Sequence, residues 1–239
     1  MTVRNLLQIT TSVVRRLPLS SDPSFVVGNT DPVARQLLEL LQEEGEELVE
    51  RHEWSNLIND FDFTITVDPN TAPLPADFNR LENQTSVWRS DSLLTPLSGP
   101  TSADSWHRLL DIPGTFPGYW RLIDGAMETI GVAPALSCTI PYISQNWILD
   151  QNGVTQKEFW AADTDTPRLP DNLFILGGRW RWKQSKGLDY GEDMATYERW
   201  LERAIAADRA ARPIGTSRQL MEMDLSQYTW PGTIIPPAA

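Results

Sequence analysis

The chain has few of the residues and patterns on which most enzymes, metal sites and secreted domains depend. Among its 239 residues there is one cysteine, Cys138, which excludes an intrachain disulfide and any site built from several cysteines. The two histidines, His52 and His107, lie far apart in the sequence, and neither stands in a metal-binding motif. Phosphate-binding glycine loops and the nucleophile elbow of hydrolases are also missing. We therefore predict no catalytic residue, no metal and no cofactor.

Long apolar runs and excess positive charge are missing too. No run is long enough to span a bilayer, and the opening residues lack the pattern of a signal peptide, so we expect a protein made and kept in the cytoplasm. Acidic residues number 32 against 20 Lys and Arg, which gives a net charge of −12. Because binding to nucleic acid relies on clustered cations that neutralise phosphates, this balance argues against general DNA binding.

The acidic residues of one loop form the single cluster that resembles a cation site. Asp163, Asp165 and Asp171 offer carboxylates, but the glycine and the terminal glutamate of a calcium-binding EF-hand are missing. Loop solubility and helix capping explain these residues better.

Helical periodicity marks the start of the chain. Apolar residues from Val3 to Leu17 predict a first amphipathic helix, with Thr2 as a possible cap. A second helix begins at Thr30-Asp31-Pro32, because a polar cap followed by proline is a helix start signal, and it runs to about Trp54.

The second helix carries a strongly acidic face. It has two interpretations, a solvated surface or a face towards a basic partner, a neighbouring subunit or a DNA channel. Its residues are Glu39, Glu43, Glu44, Glu46, Glu47, Glu50 and Glu53, and the channel or subunit interpretation is centred on Glu39, Glu43, Glu46, Glu47 and Glu50.

Two more helices are predicted within 169–212, joined by a turn at Gly187. The pair Gly177-Gly178 inside the first of them weakens a helix unless another helix crosses closely there, so we predict such a crossing. The second helix repeats apolar residues at steps of three and four, and these are Tyr190, Met194, Tyr197, Leu201, Ala204 and Ile205.

Aromatic and basic residues alternate in the first helix of this pair. A ridge of this composition suits an interface with a protein partner or with stacked nucleic acid, and the acidic face of a neighbouring copy is a candidate partner. Covering the helical core is the alternative. The ridge consists of Arg179, Trp180, Arg181, Trp182 and Lys183.

Between the helical ends the pattern changes to short alternating strands. Phe61–Val67 alternates apolar with polar residues, and Asp124-Gly125 between two strand-like runs is a strong hairpin signal. Strands are also predicted over 86–89, 93–97, 137–143 and 155–160, and a short helix over 102–110.

This layout predicts an α+β fold, in which a bundle of N-terminal and C-terminal helices holds an inserted antiparallel β domain. The predicted divisions are 1–58 for the N-terminal helices, 59–168 for the β domain, 169–212 for the C-terminal helix pair and 213–239 for an extended arm. The arm carries four residues suited to a partner groove, namely Tyr228, Trp230, Ile234 and Ile235.

Several features, in their order, resemble the head-to-tail adaptor (connector) proteins of tailed bacteriophages. The resemblance covers about 31–210 and rests on the helix from Thr30-Asp31-Pro32 to His52-Glu53-Trp54, the strand Phe61–Val67, the connector Leu74-Pro75-Ala76-Asp77-Phe78, the hairpin around Asp124-Gly125, and Leu169-Pro170-Asp171-Asn172 before the last two helices.

The resemblance implies a structural protein of the virion neck, between capsid and tail. Such proteins form homo-oligomeric rings, commonly dodecamers, that dock under the portal and present a platform to a tail or nozzle protein. By the same resemblance, the acidic helix face lines a channel through which DNA passes without specific binding, and the residues Tyr228, Trp230, Ile234 and Ile235 reach the portal. No membrane is involved.

Two alternatives stay open on the sequence. A tail-associated protein that binds or cleaves glycans would use tryptophans as sugar platforms and two carboxylates as acid and nucleophile. It needs exposed tryptophans on one face of the β region. The other alternative is an adaptor from a cellular system.

Overall fold

The computed structural model describes residues 3–19, 21–83, 85–111 and 118–208, and the described residues form an α+β fold. They contain five α-helices, which are α1 (Leu6–Val14), α2 (Pro32–Arg51), α3 (Ala103–Leu110), α4 (Asp171–Ser185) and α5 (Gly191–Asp208). A short 3₁₀ helix, Ser55–Leu57, follows α2. The strands are β1 (Ile58–Thr64), β2 (Asn70–Pro73), β3 (Phe78–Leu81), β4 (Val87–Arg89), β5 (Ser92–Leu97), β6 (Tyr119–Ile123), β7 (Ala126–Ile130), β8 (Ser137–Ser144), β9 (Ile148–Leu149), β10 (Gln156–Lys157) and β11 (Thr166–Pro167).

The contacts within the described chain divide it into two compact units. The first combines 3–58 with 143–208, and the second covers 59–142. Residues 143–168, which we placed with the β domain, carry the small antiparallel sheet β10-β9-β11 and lie in the first unit. The four-part division drawn from the sequence stays a prediction.

The helix starts follow local capping chemistry. The Asp31 side chain accepts a hydrogen bond from the backbone N–H of Val33, and Pro32 opens α2, as predicted. The cap of α1 is Asn5, whose side chain accepts from the Gln8 backbone N–H at 2.9 Å while the Gln8 side chain accepts from the Asn5 backbone at 3.2 Å. The reciprocal pair is a capping box, so α1 begins later than the predicted start near Thr2, which lies outside the described residues.

The core of the first unit surrounds α4. This helix packs against α1, α2 and α5, and its buried residues therefore point in several directions instead of along one stripe. Trp147 stacks on Phe174 of α4 with ring centroids 5.3 Å apart and meets Trp160 edge to face at 5.1 Å. These aromatic contacts fix the segment after β8 onto the helices.

The second unit contains two sheets around its own apolar core. One sheet has the order β1-β8-β4-β5 with β3 also paired to β8, and the other has the order β2-β7-β6. The predicted hairpin is confirmed, because β6 and β7 pair with Ile123 opposite Ala126. Asp124 and Gly125 take φ values of +49° and +69°, as a two-residue turn of this kind requires.

Strand boundaries differ from the predicted ones at two places. The strand predicted over Phe61–Val67 begins earlier and ends at Thr64, and Val67 is exposed beyond it. The strand predicted over 155–160 shrinks to Gln156–Lys157, because Trp160 instead turns into the helical core. Tertiary packing overrides local strand propensity there.

Candidate interaction surfaces

Two glycines allow α2, α4 and the Trp147 segment to approach one another closely. A Cβ on Gly45 of α2 would lie 2.2 Å from the Trp147 ring. A Cβ on Gly177 of α4 would lie 2.3 Å from the carboxyl carbon of Glu44. The prediction that another helix crosses at Gly177-Gly178 is therefore confirmed, since α2 packs there against α4.

A buried ion cluster lies at this crossing. The Glu44 side chain is fully buried, and its Oε2 accepts a hydrogen bond from Arg181 Nε at 2.8 Å. Arg181 is 6% exposed and also donates to Glu43 Oε1 at 3.1 Å and to Glu47. One guanidinium of α4 thus binds three carboxylates of α2. Arginine can do this because its planar guanidinium carries several N–H donors at fixed angles, which the ammonium group of lysine does not.

The cluster shifts the proton affinities of its members. Burial raises the pKa of Glu44 to about 7, against the opposing effect of Tyr197 and Arg181. Burial alone would also raise the pKa of Glu47, but its hydrogen bonds with Arg181 and the nearby Arg51 lower it overall. Burial and the adjacent Glu44 carboxylate raise the pKa of Tyr197 well above its ordinary value. The cluster is therefore coupled to the packing of α5, which carries Tyr197.

The acidic face of α2 survives in part as an exposed surface. Glu39, Glu43, Glu46 and Glu50 are exposed, and their spacing of four, three and four residues places them on one side of the helix. We call these four residues the α2 acidic face. Glu47 is partly buried and pairs with Arg51 and Arg181, and Glu44, which the sequence placed on the face, points inward.

The aromatic and basic ridge of α4 is turned towards the protein's own helices. Trp180, Arg181 and Trp182 are buried. Within the described part of the chain, the two tryptophans belong to the helical core of the first unit. Arg179 and Lys183 both pair with Asp193 of α5, at 2.7 and 2.5 Å. These cations have partners in the same chain and need no acidic face of a neighbouring copy to neutralise them. An interface role for the ridge with another protein stays a prediction.

An apolar groove of about 650 Å³ lies between the start of α4 and the end of α5. Its floor includes Trp54, Leu169 and Leu173, which are at most 3% exposed, and Trp200 of α5 is 44% exposed at its side. Ala204, Ala207 and Asp208 continue the α5 wall. We call this the α5 groove.

Two of the acidic loop residues, Asp163 and Asp165, bind backbone N–H groups, and Asp171 lies 3.7 Å from Arg4. Asp163 accepts from the backbone N–H groups of Val26 and Val27, and Asp165 accepts from those of Ala161 and Ala162 and from Lys157 Nζ at 2.8 Å. The described residues contain no cluster of three or more potential metal ligands. The carboxylates of Asp163 and Asp165 therefore stabilise the local backbone by accepting its hydrogen bonds.

Three residues with structural roles were not predicted from the sequence. Glu44, Asp208 and Asn5 each act through an inward or local contact that charge and periodicity do not reveal. Asp208 ends α5 and accepts from the backbone N–H and hydroxyl of Ser55, and it lies 3.3 Å from His52 Nε2. One glutamate among the many of α2 gives no local sign that it will be buried against another helix, whereas the Asn5-x-x-Gln8 spacing of a capping box was readable.

Tryptophan exposure bears on the glycan alternative. Among the described tryptophans of the second unit, Trp88 is 42% exposed, whereas Trp106 and Trp120 are buried. A sugar platform usually needs several exposed rings on one face.

The predicted arm residues Tyr228, Trp230, Ile234 and Ile235 lie outside the described residues.

Helices held together by buried charges, an exposed acidic face on α2 and an apolar groove at the end of α5 are features of a structural protein that binds other proteins. The family comparison agrees. Residues 4–223 match the family described as SU10 adaptor protein, and the chain therefore belongs to the SU10 adaptor protein family.

This membership makes the chain a structural adaptor protein of a bacteriophage, which is incorporated in the virion and interacts with other head or tail components. The family is structural and not enzymatic. No curated protein matches the chain at a significant level. None of the helices in the described part of the chain combines the length and apolar character that a bilayer crossing requires.

Proposed function

We propose that the protein forms a homo-oligomeric ring in the virion neck, docks under the portal and links the capsid to the tail. The observation that carries the proposal is the family match over residues 4–223, which extends across both compact units. A dodecamer is the expected ring, and a tail or nozzle protein is the expected partner on the other side.

The α2 acidic face is the candidate channel lining. Its four carboxylates are exposed, and the fixed Arg181 cluster behind them holds α2 in place without neutralising the whole face. A surface of like charge repels phosphate, so a duplex can slide along it without being bound. An exposed acidic face on a helix locked to its neighbour is therefore suited to a channel wall.

The helical ends and the arm complete the proposal. The N-terminal and C-terminal helices, which share one apolar core, would act as the bundle that packs between neighbouring subunits. The arm 213–239 would reach the portal through Tyr228, Trp230, Ile234 and Ile235, since aromatic and aliphatic anchors are what protein grooves bind most strongly.

Native mass spectrometry tests the ring and its docking. The full chain is measured alone and with the portal protein of the same phage, and a defined ring on the portal is the expected result. The double variant Trp230→Asp, Ile235→Asp should lose portal binding. The matched control is Phe159→Asp, which makes the same kind of change at an aromatic residue outside the arm that is 57% exposed. A full chain that stays monomeric with the portal present would refute the proposal.

A charge reversal tests the channel lining separately. In the assembled ring, Glu39→Lys with Glu46→Lys should retain duplex DNA at low salt and release it as salt rises, because added cations bind phosphate by counterion release. Glu192→Lys with Glu202→Lys makes the same charge change at exposed positions of α5. Equal DNA retention by both double variants would place the α2 acidic face outside the channel.

A further inference from the structure

The α5 groove is an apolar surface with no occupant among the described residues. Its volume of about 650 Å³ falls within the range of sites that hold a ligand larger than one side chain. Trp200 and Val3 at its edges are 44% and 50% exposed, and such a cluster of exposed apolar groups next to a buried floor marks a contact site.

The position of the groove points to the chain's own C-terminal segment. Ala207 and Asp208 line the groove, and Asp208 is the last described residue, so residues 209–239 continue from its edge. Residues 209–227 separate Asp208 from Tyr228 and can span roughly 60 Å when extended, which is ample for a return to the groove. Because the segment is covalently tethered to the groove edge, its effective concentration at the groove is high. A free partner of similar affinity would need a higher concentration to displace it.

Charge selects which part of the segment fits. The groove rim carries Arg168 and Arg203 against Asp171 and Asp208, so its formal charges balance. Residues 228–235, Tyr-Thr-Trp-Pro-Gly-Thr-Ile-Ile, carry no charge and include the largest apolar side chains after Asp208. Residues 209–224 include three arginines and two acidic residues. Binding these charged side chains on the apolar floor would bury them without partners, which is unfavourable.

We propose that the α5 groove holds residues 228–235 of the same chain in the unassembled protein. The contact buries Trp230 and the two isoleucines against Trp54, Leu173 and Trp200. It keeps an adhesive apolar segment covered until a larger surface competes for it. This proposal concerns the free chain and holds whether or not the same segment later binds a portal.

Cysteine labelling in the full chain tests the proposal. A thiol reagent is applied to the variant Ala207→Cys, whose new thiol lies in the groove, and to the same variant with Trp230→Asp and Ile234→Asp. We expect labelling about tenfold faster in the second protein, because the segment no longer covers the groove. Ala206→Cys is the matched control, since Ala206 is the neighbouring exposed residue of α5 and does not line the groove. The native Cys138 is 1% exposed, and labelling of the unaltered protein corrects for it.

Protein concentration distinguishes the chain's own segment from that of another copy. Protection of Ala207→Cys that is unchanged on dilution supports the proposal. Protection that disappears on dilution would mean that the segment of a second copy occupies the groove. Equal labelling rates with and without Trp230→Asp and Ile234→Asp would mean that residues 228–235 do not bind there. Either of these two results overturns the proposal. No portal is present, so the outcome is independent of the test of the proposed function.

Discussion

The adjacent glycines of α4 allow a sharp test of the α2–α4 crossing. A Cβ at position 177 would lie 2.3 Å from the Glu44 carboxyl carbon and 2.4 Å from Oε2, far inside van der Waals contact. Glu44 is fully buried and cannot move aside without disturbing its 2.8 Å hydrogen bond with Arg181. We therefore predict that Gly177→Ala strongly destabilises the first unit.

The expected magnitude combines three effects. Overpacking a close-packed site costs about 2 kcal/mol, and disturbing a hydrogen bond to a charged group costs about 2 kcal/mol more. Alanine in place of glycine inside a helix returns about 1 kcal/mol. The free energy of unfolding should therefore fall by about 3 kcal/mol in Gly177→Ala.

Gly178→Ala is the matched control, because its Cβ would lie 3.1 Å from Leu41 Cδ2 and 3.3 Å from Val13 Cγ2. These are the ends of side chains that can shift slightly, so the helix gain of about 1 kcal/mol nearly offsets the crowding. The assay is urea denaturation followed by far-ultraviolet circular dichroism, to which the four helices of the first unit contribute most.

A second comparison isolates Glu44 as the cause. In a Glu44→Ala background the obstructing carboxylate is gone, and Gly177→Ala should then cost nothing or stabilise slightly. If Gly177→Ala and Gly178→Ala were equally stable, or if the cost of Gly177→Ala persisted without the Glu44 side chain, the described crossing would be refuted.

Three further predictions concern stability. The first two, in the first unit, use the same assay, and the third, in the β6–β7 hairpin of the second unit, is followed by hydrogen exchange of the hairpin amides. Because burial raises the Glu44 pKa from 4.5 to about 7, the folded state binds more protons than the unfolded state in that window. The contribution of this group is thus present below pH 4.5 and lost as pH rises to 7, by about 3 kcal/mol; parallel pH profiles for the unaltered protein and Glu44→Gln would contradict this. Asp163→Ala should cost about 2 kcal/mol by orphaning the N–H groups of Val26 and Val27, with Asp163→Asn milder because it keeps an acceptor. Gly125→Ala should cost about 1 kcal/mol through its φ of +69° alone, since nothing lies within 4 Å of the added Cβ, and Gly125→Asn should cost less.

Local signals predicted the elements whose cause is itself local. The start of α2 at Asp31-Pro32 and the Asp124-Gly125 hairpin were readable because capping and turn geometry involve a few adjacent residues. The Gly177-Gly178 pair predicted a crossing because a helix tolerates two glycines only where something lies close. The same signal did not say which residue crosses there, and Glu44 was placed on the exposed face.

The candidate surfaces were less predictable than the fold. Trp180 to Trp182 were interpreted as a possible outward ridge, but α4 contacts α1, α2 and α5 and has little surface left to expose. The α5 groove had no sequence signal, because its lining unites Trp54, Leu169 and Trp200 from distant parts of the chain. Periodicity describes one helix at a time, whereas a groove depends on several.

The sequence by itself determined the α+β class, the helix and hairpin starts, the exclusion of cysteine-based sites and the resemblance to phage adaptors, since these depend on composition, short-range geometry and element order. Only the tertiary structure decided which charges face solvent. Glu43, Glu44 and Glu47 are near neighbours on one helix, yet one is exposed, one fully buried and one half-buried, because Arg181 and Gly177 of a distant helix meet α2 at that point. Burial depends on what packs opposite a residue, and that partner is more than 130 residues away in the chain.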